Sequence, residues 1–394
     1  MLHRILAPDV RSSFFLFGPR QTGKTTLIKS WLGPDDLYIN LLPQRAFLAY
    51  ANEPGRFREE VLAHVRQRPG ARIFVDEIQK VPALLDEVHD LIEAHRLRFV
   101  LTGSSARRLR RSEVNLLAGR AYTYRLHPLT VAELGDAFDL ERALRVGCLP
   151  ALWDTERQAD PREFLTAYAD TYLREEIASE GVVKDLAPIA RFLDVAAAND
   201  GEVINFSAFA RECGVSVKTA QAYFQILEDT FLAFRVPAWT TSARKRLVVH
   251  PRFYLFDPGV TNALSHTLGD PLSAIVRGRR FEQLVVLQLL AAIEYARLDL
   301  SVHFWRTQTG HEVDVVLARG PRVLAGVEIK SVERLEPMSL RGLRAFREDH
   351  PDALACVVGP FERRRDLQDG VEVWPWREFL DRALPGLCRE PHQA

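Results

Sequence analysis

Gly18, Pro19, Arg20, Gln21, Thr22, Gly23, Lys24 and Thr25 form G-x-x-x-x-G-K-T directly after the apolar run Phe14-Phe15-Leu16-Phe17. The spacing suits phosphate binding. Glycines let the backbone curl so that successive N–H groups point at an anion, and a helix opening at Lys24 adds the positive end of its dipole. In such a loop Lys24 reaches the β- and γ-phosphates of a nucleotide and the Thr25 hydroxyl binds Mg²⁺, with Thr26 completing the nucleotide-binding set.

Further along, Arg72-Ile73-Phe74-Val75-Asp76-Glu77 reads as a buried strand ending in two carboxylates. Asp76 would hold Mg²⁺ through water and Glu77 would polarise the attacking water. This strand is expected to lie beside the strand that feeds the phosphate loop. A third piece, Arg98-Phe99-Val100-Leu101-Thr102-Gly103-Ser104-Ser105, is a strand ending in small hydroxyl residues. Thr102 or Ser104, with Ser104 preferred, would sit between the carboxylates and the γ-phosphate. Phosphoryl transfer usually needs an arginine to offset transition-state charge. Arg120 is the first candidate, acting across a subunit interface and so implying a homo-oligomer. Arg107, Arg108, Arg110 and Arg111 could supply it instead, contact a nucleic acid backbone, or form a solvated helix face. Arg174 could reach in from a lid.

A second constellation lies near the C-terminus. Glu328-Ile329-Lys330 is E-x-K on a strand, whose period of two puts both charged side chains on one face. Asp314 sits among Val313, Val315 and Val316, and an aspartate with apolar neighbours on both faces needs a metal or a partner. Glu282 lies on a preceding helix. Glu282, Asp314 and Glu328 together offer oxygen ligands for Mg²⁺ or Mn²⁺, which can activate water and stabilise a phosphodiester displacement. Lys330 would orient the nucleophile or stabilise the developing charge. The alternative is a solvated edge-strand pair between Glu328 and Lys330.

These sites need elements to position them. The 394 residues allow two to three domains, and 47% hydrophobic with 26% charged residues is ordinary globular composition. The 52 basic residues equal the 52 acidic ones, so any nucleic-acid surface is local. The apolar stretch 284–293 is too short to span a bilayer, and the N-terminus lacks a signal-peptide core. Cys148, Cys213, Cys356 and Cys388 have no metal or disulfide spacing, which points to a cytoplasmic protein without membrane association.

Residues 1–130 alternate strand and helix, with strands expected at 14–17, 37–41, 72–75, 98–102 and 121–126 and helices near 24–32, 56–68, 82–95 and 104–111. This predicts an α/β fold, a parallel sheet with helices on both faces and the nucleotide at the carboxyl ends of the strands. Residues 131–188 read as a helical lid or linker. Residues 189–262 read as a winged helix-turn-helix: helix 206–214, a turn at Gly214-Val215, a second helix capped by Ser216, and two β-like runs. Lys218, Thr219, Gln221 and Gln225 line its candidate recognition face, so it is either a DNA reader or a protein-interaction module. Arg244-Lys245-Arg246, with Arg277, Arg279 and Arg280, are the better basic patches. Residues 270–394 follow the order αβββαβ.

That last unit resembles the PD-(D/E)XK nuclease fold, which implies metal ligands at Asp314 and Glu328 with support from Glu282. Nearly the whole chain resembles a bacterial and archaeal family of AAA-type ATPases with a C-terminal domain of unknown function. The matching stretches include the phosphate loop, residues 74–77, 101–105, 117–120, 126–129 and 253–259, and the acidic positions at 312–314 and 328–330. The resemblance implies an ATPase core using ATP and Mg²⁺, a winged helix and a nuclease-like end. The expected function is Mg-dependent ATP hydrolysis controlling a nuclease-like module that acts on nucleic acid, DNA ahead of RNA. The alternative is a nucleotide-gated switch whose inactive C-terminal domain recruits a protein or DNA partner.

Overall fold

A computed structural model of the chain describes residues 2–107, 109, 117, 119–155, 159–173, 186–240, 250–335 and 340–388. Arg108, Arg110, Arg111, Arg174 and the Arg244-Lys245-Arg246 run therefore lie outside the described residues.

The N-terminal sheet contains β1 (Ser13–Phe17), β2 (Leu37–Asn40), β3 (Arg72–Asp76), β4 (Arg98–Gly103) and β5 (Ala121–Arg125). The strands pair in parallel in the order β2-β3-β4-β1-β5. Helices α1 (Lys24–Ser30), α2 (Gln44–Asn52), α3 (Pro54–Gln67) and α4 (Leu84–His95) connect them. All five expected strands are present. The continuous apolar run of β1 is buried at every position, as a strand covered on both faces requires. Two apolar clusters sandwich the sheet, because alternate residues of β1 face opposite ways: Phe15 and Phe17 enter one cluster, Phe14 and Leu16 the other.

One expectation is corrected. β3 does not lie beside β1, because β4 lies between them: Val100 pairs with Phe14 on one side and Phe74 on the other. This explains why the hydroxyl residues cluster at the end of β4, since that strand separates the phosphate loop from the carboxylates.

After β5 the chain forms α5 (Val131–Leu134), α6 (Leu140–Val146), α7 (Pro161–Ala167) and α8 (Leu186–Ala198), with a π-helical turn over Tyr168–Leu173. Then come α9 (Phe206–Cys213) and α10 (Val217–Asp229), followed by the antiparallel ribbon of β6 (Ala233–Val236) and β7 (Arg252–Leu255). Gly214 makes the left-handed turn, and the Ser216 hydroxyl caps α10 by accepting from the Thr219 N–H.

The C-terminal part holds α11 (Pro258–Leu264), α12 (Ala274–Tyr295), β8 (Ser301–Arg306), β9 (Glu312–Arg319), β10 (Arg322–Ile329), α13 (Arg341–Asp349), β11 (Leu354–Gly359), β12 (Arg365–Asp366) and β13 (Glu372–Pro375). The expected αβββαβ order is there, extended by β12 and β13. They join a mixed sheet ordered β12-β13-β11-β10-β9-β8. A single apolar core takes in residues from Leu129 through Phe224 and Phe253 to Leu384, so the helical middle and this sheet are packed as one mass. Among the described residues no helix is long and apolar enough to cross a membrane.

Candidate functional site

The loop between β1 and α1 curls around Lys24. Gly23 takes φ 91° at the helix N-cap, a conformation that costs a side chain-bearing residue about 1–2 kcal/mol. Lys24 is only 5% exposed, and its Nζ donates to the carbonyls of Gly18 and Pro19, each at 2.8 Å. The Thr22 hydroxyl donates to the Pro19 carbonyl and stiffens the loop.

Asp76 is fully buried at the end of β3. Such a carboxylate survives only if its oxygens are bonded, and three hydroxyls do this. Thr25 Oγ1 donates to Oδ2 at 2.7 Å, Tyr38 Oη to the same oxygen at 2.9 Å, and Thr102 Oγ1 to Oδ1. Burial, and then the Asp76 charge, hold the Tyr38 phenol far above its ordinary range, so it remains a donor. Glu77 has φ 65°, an uncommon conformation for a residue with a side chain. Its N–H donates to Thr102 Oγ1, and its carboxylate accepts from Gln79 Nε2 at 2.5 Å. The same Gln79 amide donates to Ser104 Oγ at 3.0 Å. Both hydroxyl candidates are thus in the network: Thr102 holds Asp76, and Ser104 reaches Glu77 through Gln79. Tyr38 and Gln79 were missed by sequence reasoning: Tyr38 reaches Asp76 only across neighbouring strands, and Gln79 joins Glu77, two residues before it, to Ser104 at the end of β4.

A cavity of about 650 Å³ opens over these groups, lined by Arg20, Gln21, Thr22, Gly23, Lys24, Thr25, Thr26 and Glu77. Its other walls come from Leu2, His3 and Arg4, from Trp31, and from the segment holding Pro150, Ala151 and Asp154. Arg4 ties these walls together, donating to the carbonyls of Thr22 and His127 and to Tyr295 Oη at the end of α12, and pairing with buried Glu133.

The segment at 150–154 is anchored through Gly147 and Asp257. Asp257 accepts from the N–H groups of Cys148, Gly259 and Val260, and burial pushes its carboxyl up to about 7. Gly147 has φ 75°, and a Cβ there would lie 1.8 Å from Asp257 Oδ1. Gly147→Ala therefore combines left-handed strain with overpacking. We expect it to lower unfolding free energy by about 3 kcal/mol or more, read by urea denaturation, and to weaken nucleotide binding with it.

Arg120 sits elsewhere. It precedes β5, at the amino-terminal end of a sheet whose carboxyl ends carry the loop, and its guanidinium pairs with Glu93 on α4. The length of β5 separates it from its own chain's loop, so the expected role is one at the phosphates of a neighbouring subunit. Arg107 pairs with Asp229 of α10. In the basic patch expected at Arg277, Arg279 and Arg280, the expectation is corrected for Arg280, which is buried against Asp200, while Arg277 and Arg279 reach the surface and pair with Glu141 and Glu202. On α10, Lys218, Gln221 and Gln225 are exposed, whereas the helix end packs on the N-terminal domain. There Asp229 accepts through its carbonyl from the Ala106 N–H, and Phe231 stacks on Phe17 at 5.4 Å.

At the C-terminal sheet, Lys330 Nζ lies 2.6 Å from Glu328 Oε1, and Asp314 Oδ2 accepts from the Ile329 N–H. Burial, with the nearby Asp314 charge next, pushes the carboxyls of Glu282 and Glu328 well up. Sequence reasoning missed Arg252, which enters this cluster from β7 and pairs with Glu282, Glu312 and Asp314. Among the described residues, no group of three or more His, Cys, Asp or Glu is arranged to hold a metal ion.

Residues 10–135 match the family described as AAA domain. Residues 137–270 match a domain of unknown function (DUF8612) and residues 277–379 another (DUF4143). The chain is 29% identical over 387 residues to an uncharacterized protein of Mycobacterium tuberculosis, covering 96% of this chain and 82% of that protein. An uncharacterized protein of Mycobacterium bovis matches to the same extent. One from Haemophilus influenzae is 22% identical over 318 residues, 76% of this chain and 74% of that protein. The chain thus carries a P-loop ATPase-like AAA domain at its N-terminus and a domain of unknown function at its C-terminus.

Proposed function

We propose that the AAA-type N-terminal domain binds and hydrolyses ATP with Mg²⁺, and that the nucleotide state moves a C-terminal module which binds a macromolecular partner. The observation that carries this reading is the 2.7 Å bond from Thr25 to buried Asp76, placed beside Lys24 and Glu77 at one cavity. A hydroxyl and a carboxylate so placed, with two further hydroxyls on the carboxylate, fit Mg²⁺. Thr25 and Asp76 would hold that ion, which would supply positive charge against the charge developing on the phosphate oxygens. Lys24 would exchange the Gly18 and Pro19 carbonyls for phosphate oxygens. Glu77, oriented by Gln79, would align a water and take its proton. Phosphate release from ATP that requires Mg²⁺ is the expected result; no release with both present would overturn the ATPase reading.

Two contacts support transmission. Arg4 joins the loop carbonyl of Thr22 to Tyr295 on α12. Phe231, just after α10, stacks on Phe17, the last residue before the loop, with Arg125 against its ring. Spatial adjacency is not coupling, so amide hydrogen exchange is the test. ATP is expected to slow exchange across 217–231. Phe231→Ala should abolish that response and cost about 3–5 kcal/mol of stability. Unchanged exchange in wild-type protein that demonstrably binds ATP would count against the coupling.

A nuclease-like output is the second reading, supported by the Lys330–Glu328 pair beside Asp314. Its test is cleavage of DNA or RNA that disappears in Asp314→Ala. The place of Arg252 favours binding over cleavage.

A further inference from the structure

The carboxylate cluster of the C-terminal sheet carries its own cation. Arg252 opens β7 and is 6% exposed. Its Nη1 lies 3.2 Å from Glu282 Oε1 and 3.4 Å from Asp314 Oδ1, and its Nη2 lies 2.8 Å from Glu312 Oε2. The guanidinium lies over the Phe304 ring, 5.1 Å from its centroid. Two residues on, on the same face of the strand, Tyr254 donates to the same Glu282 oxygen at 2.7 Å. The ribbon thus inserts two donors into the cluster.

A divalent ion needs carboxylate oxygens at about 2.0–2.6 Å. Glu282 Oε1 and Asp314 Oδ1 already share a guanidinium nitrogen, and an ion drawn to both would meet that fixed positive charge at close range. Glu312 is occupied from both sides, since Arg306 Nε lies 2.9 Å from its other oxygen. Glu282, Glu312 and Asp314, held in this way by Arg252 and Arg306, do not fit a metal.

We infer that Arg252 is the resident cation of the Glu282–Glu312–Asp314 cluster, holding the position a divalent metal would take and latching β7 to the C-terminal sheet without metal. This does not rest on ATP hydrolysis, which is measured separately. The test titrates Mn²⁺ into the nucleotide-free full chain by calorimetry and follows the unfolding temperature, comparing each protein with its Asp314→Asn counterpart. Wild-type protein is expected to show no Asp314-dependent Mn²⁺ binding. Arg252→Met strips the carboxylates of their partner and should lower the unfolding temperature, and Mn²⁺ should restore it, as a ligand of the folded state alone does. Its Asp314-dependent Mn²⁺ affinity should exceed wild type by at least about tenfold. Arg252→Lys, which keeps a charge, should behave as wild type toward Mn²⁺. Asp314-dependent Mn²⁺ binding by wild-type protein overturns the inference, as does a folded Arg252→Met without a Mn²⁺ response. If Arg252→Met does not fold at all, the wild-type and Asp314→Asn comparison decides.

Discussion

Lys24→Ala is expected to lower ATP turnover by about 10²–10³-fold, the scale seen when a preorganised charge-stabilising donor is removed. The lysine is not a surface residue that happens to match a motif. It is buried, and the loop bends to bring two carbonyls onto its ammonium. Its removal takes away the positive charge that would meet the phosphates and the donor that closes the loop. Affinity and turnover should therefore fall together, and phosphate release read beside an equilibrium nucleotide titration will show it. Turnover at the wild-type rate would place the chemistry outside this loop.

Glu77→Gln should separate the two steps. The substitution keeps the shape of the side chain, and its amide oxygen can still accept from Gln79, so nucleotide affinity should stay within a few-fold of wild type. Hydrolysis should fall by about 10²–10⁴-fold, because an amide cannot take the proton of the attacking water. Single-turnover measurements on preloaded protein distinguish this from a binding defect. A loss of affinity without a loss of the chemical step would make Glu77 a structural partner of Gln79 and Ser104.

The phosphate loop, both acidic residues and the hydroxyl-rich strand end were legible because each is contiguous and follows an apolar strand. The order of the strands was not. Placing β4 between β1 and β3 is a choice of pairing partners, and nothing local to residues 72–77 encodes it. α2 was missed although Pro43 precedes it. Arg120 precedes a parallel strand and so lies at the end remote from its own chain's loop, which leaves the phosphates of a neighbouring subunit as its expected target.

Contiguous residues by themselves determined that this chain carries a phosphate-binding loop with a carboxylate pair, because side chains within one turn or strand end are placed by local geometry. Asp314, Glu328 and Lys330 were likewise visible as a group. Only the tertiary structure decided what faces them. Arg252 is separated from Glu282 by 30 residues and from Asp314 by 62, and reaches both only when the ribbon packs on the sheet. A cluster of buried carboxylates demands donors or a cation, but the demand does not say which. Packing supplied a guanidinium.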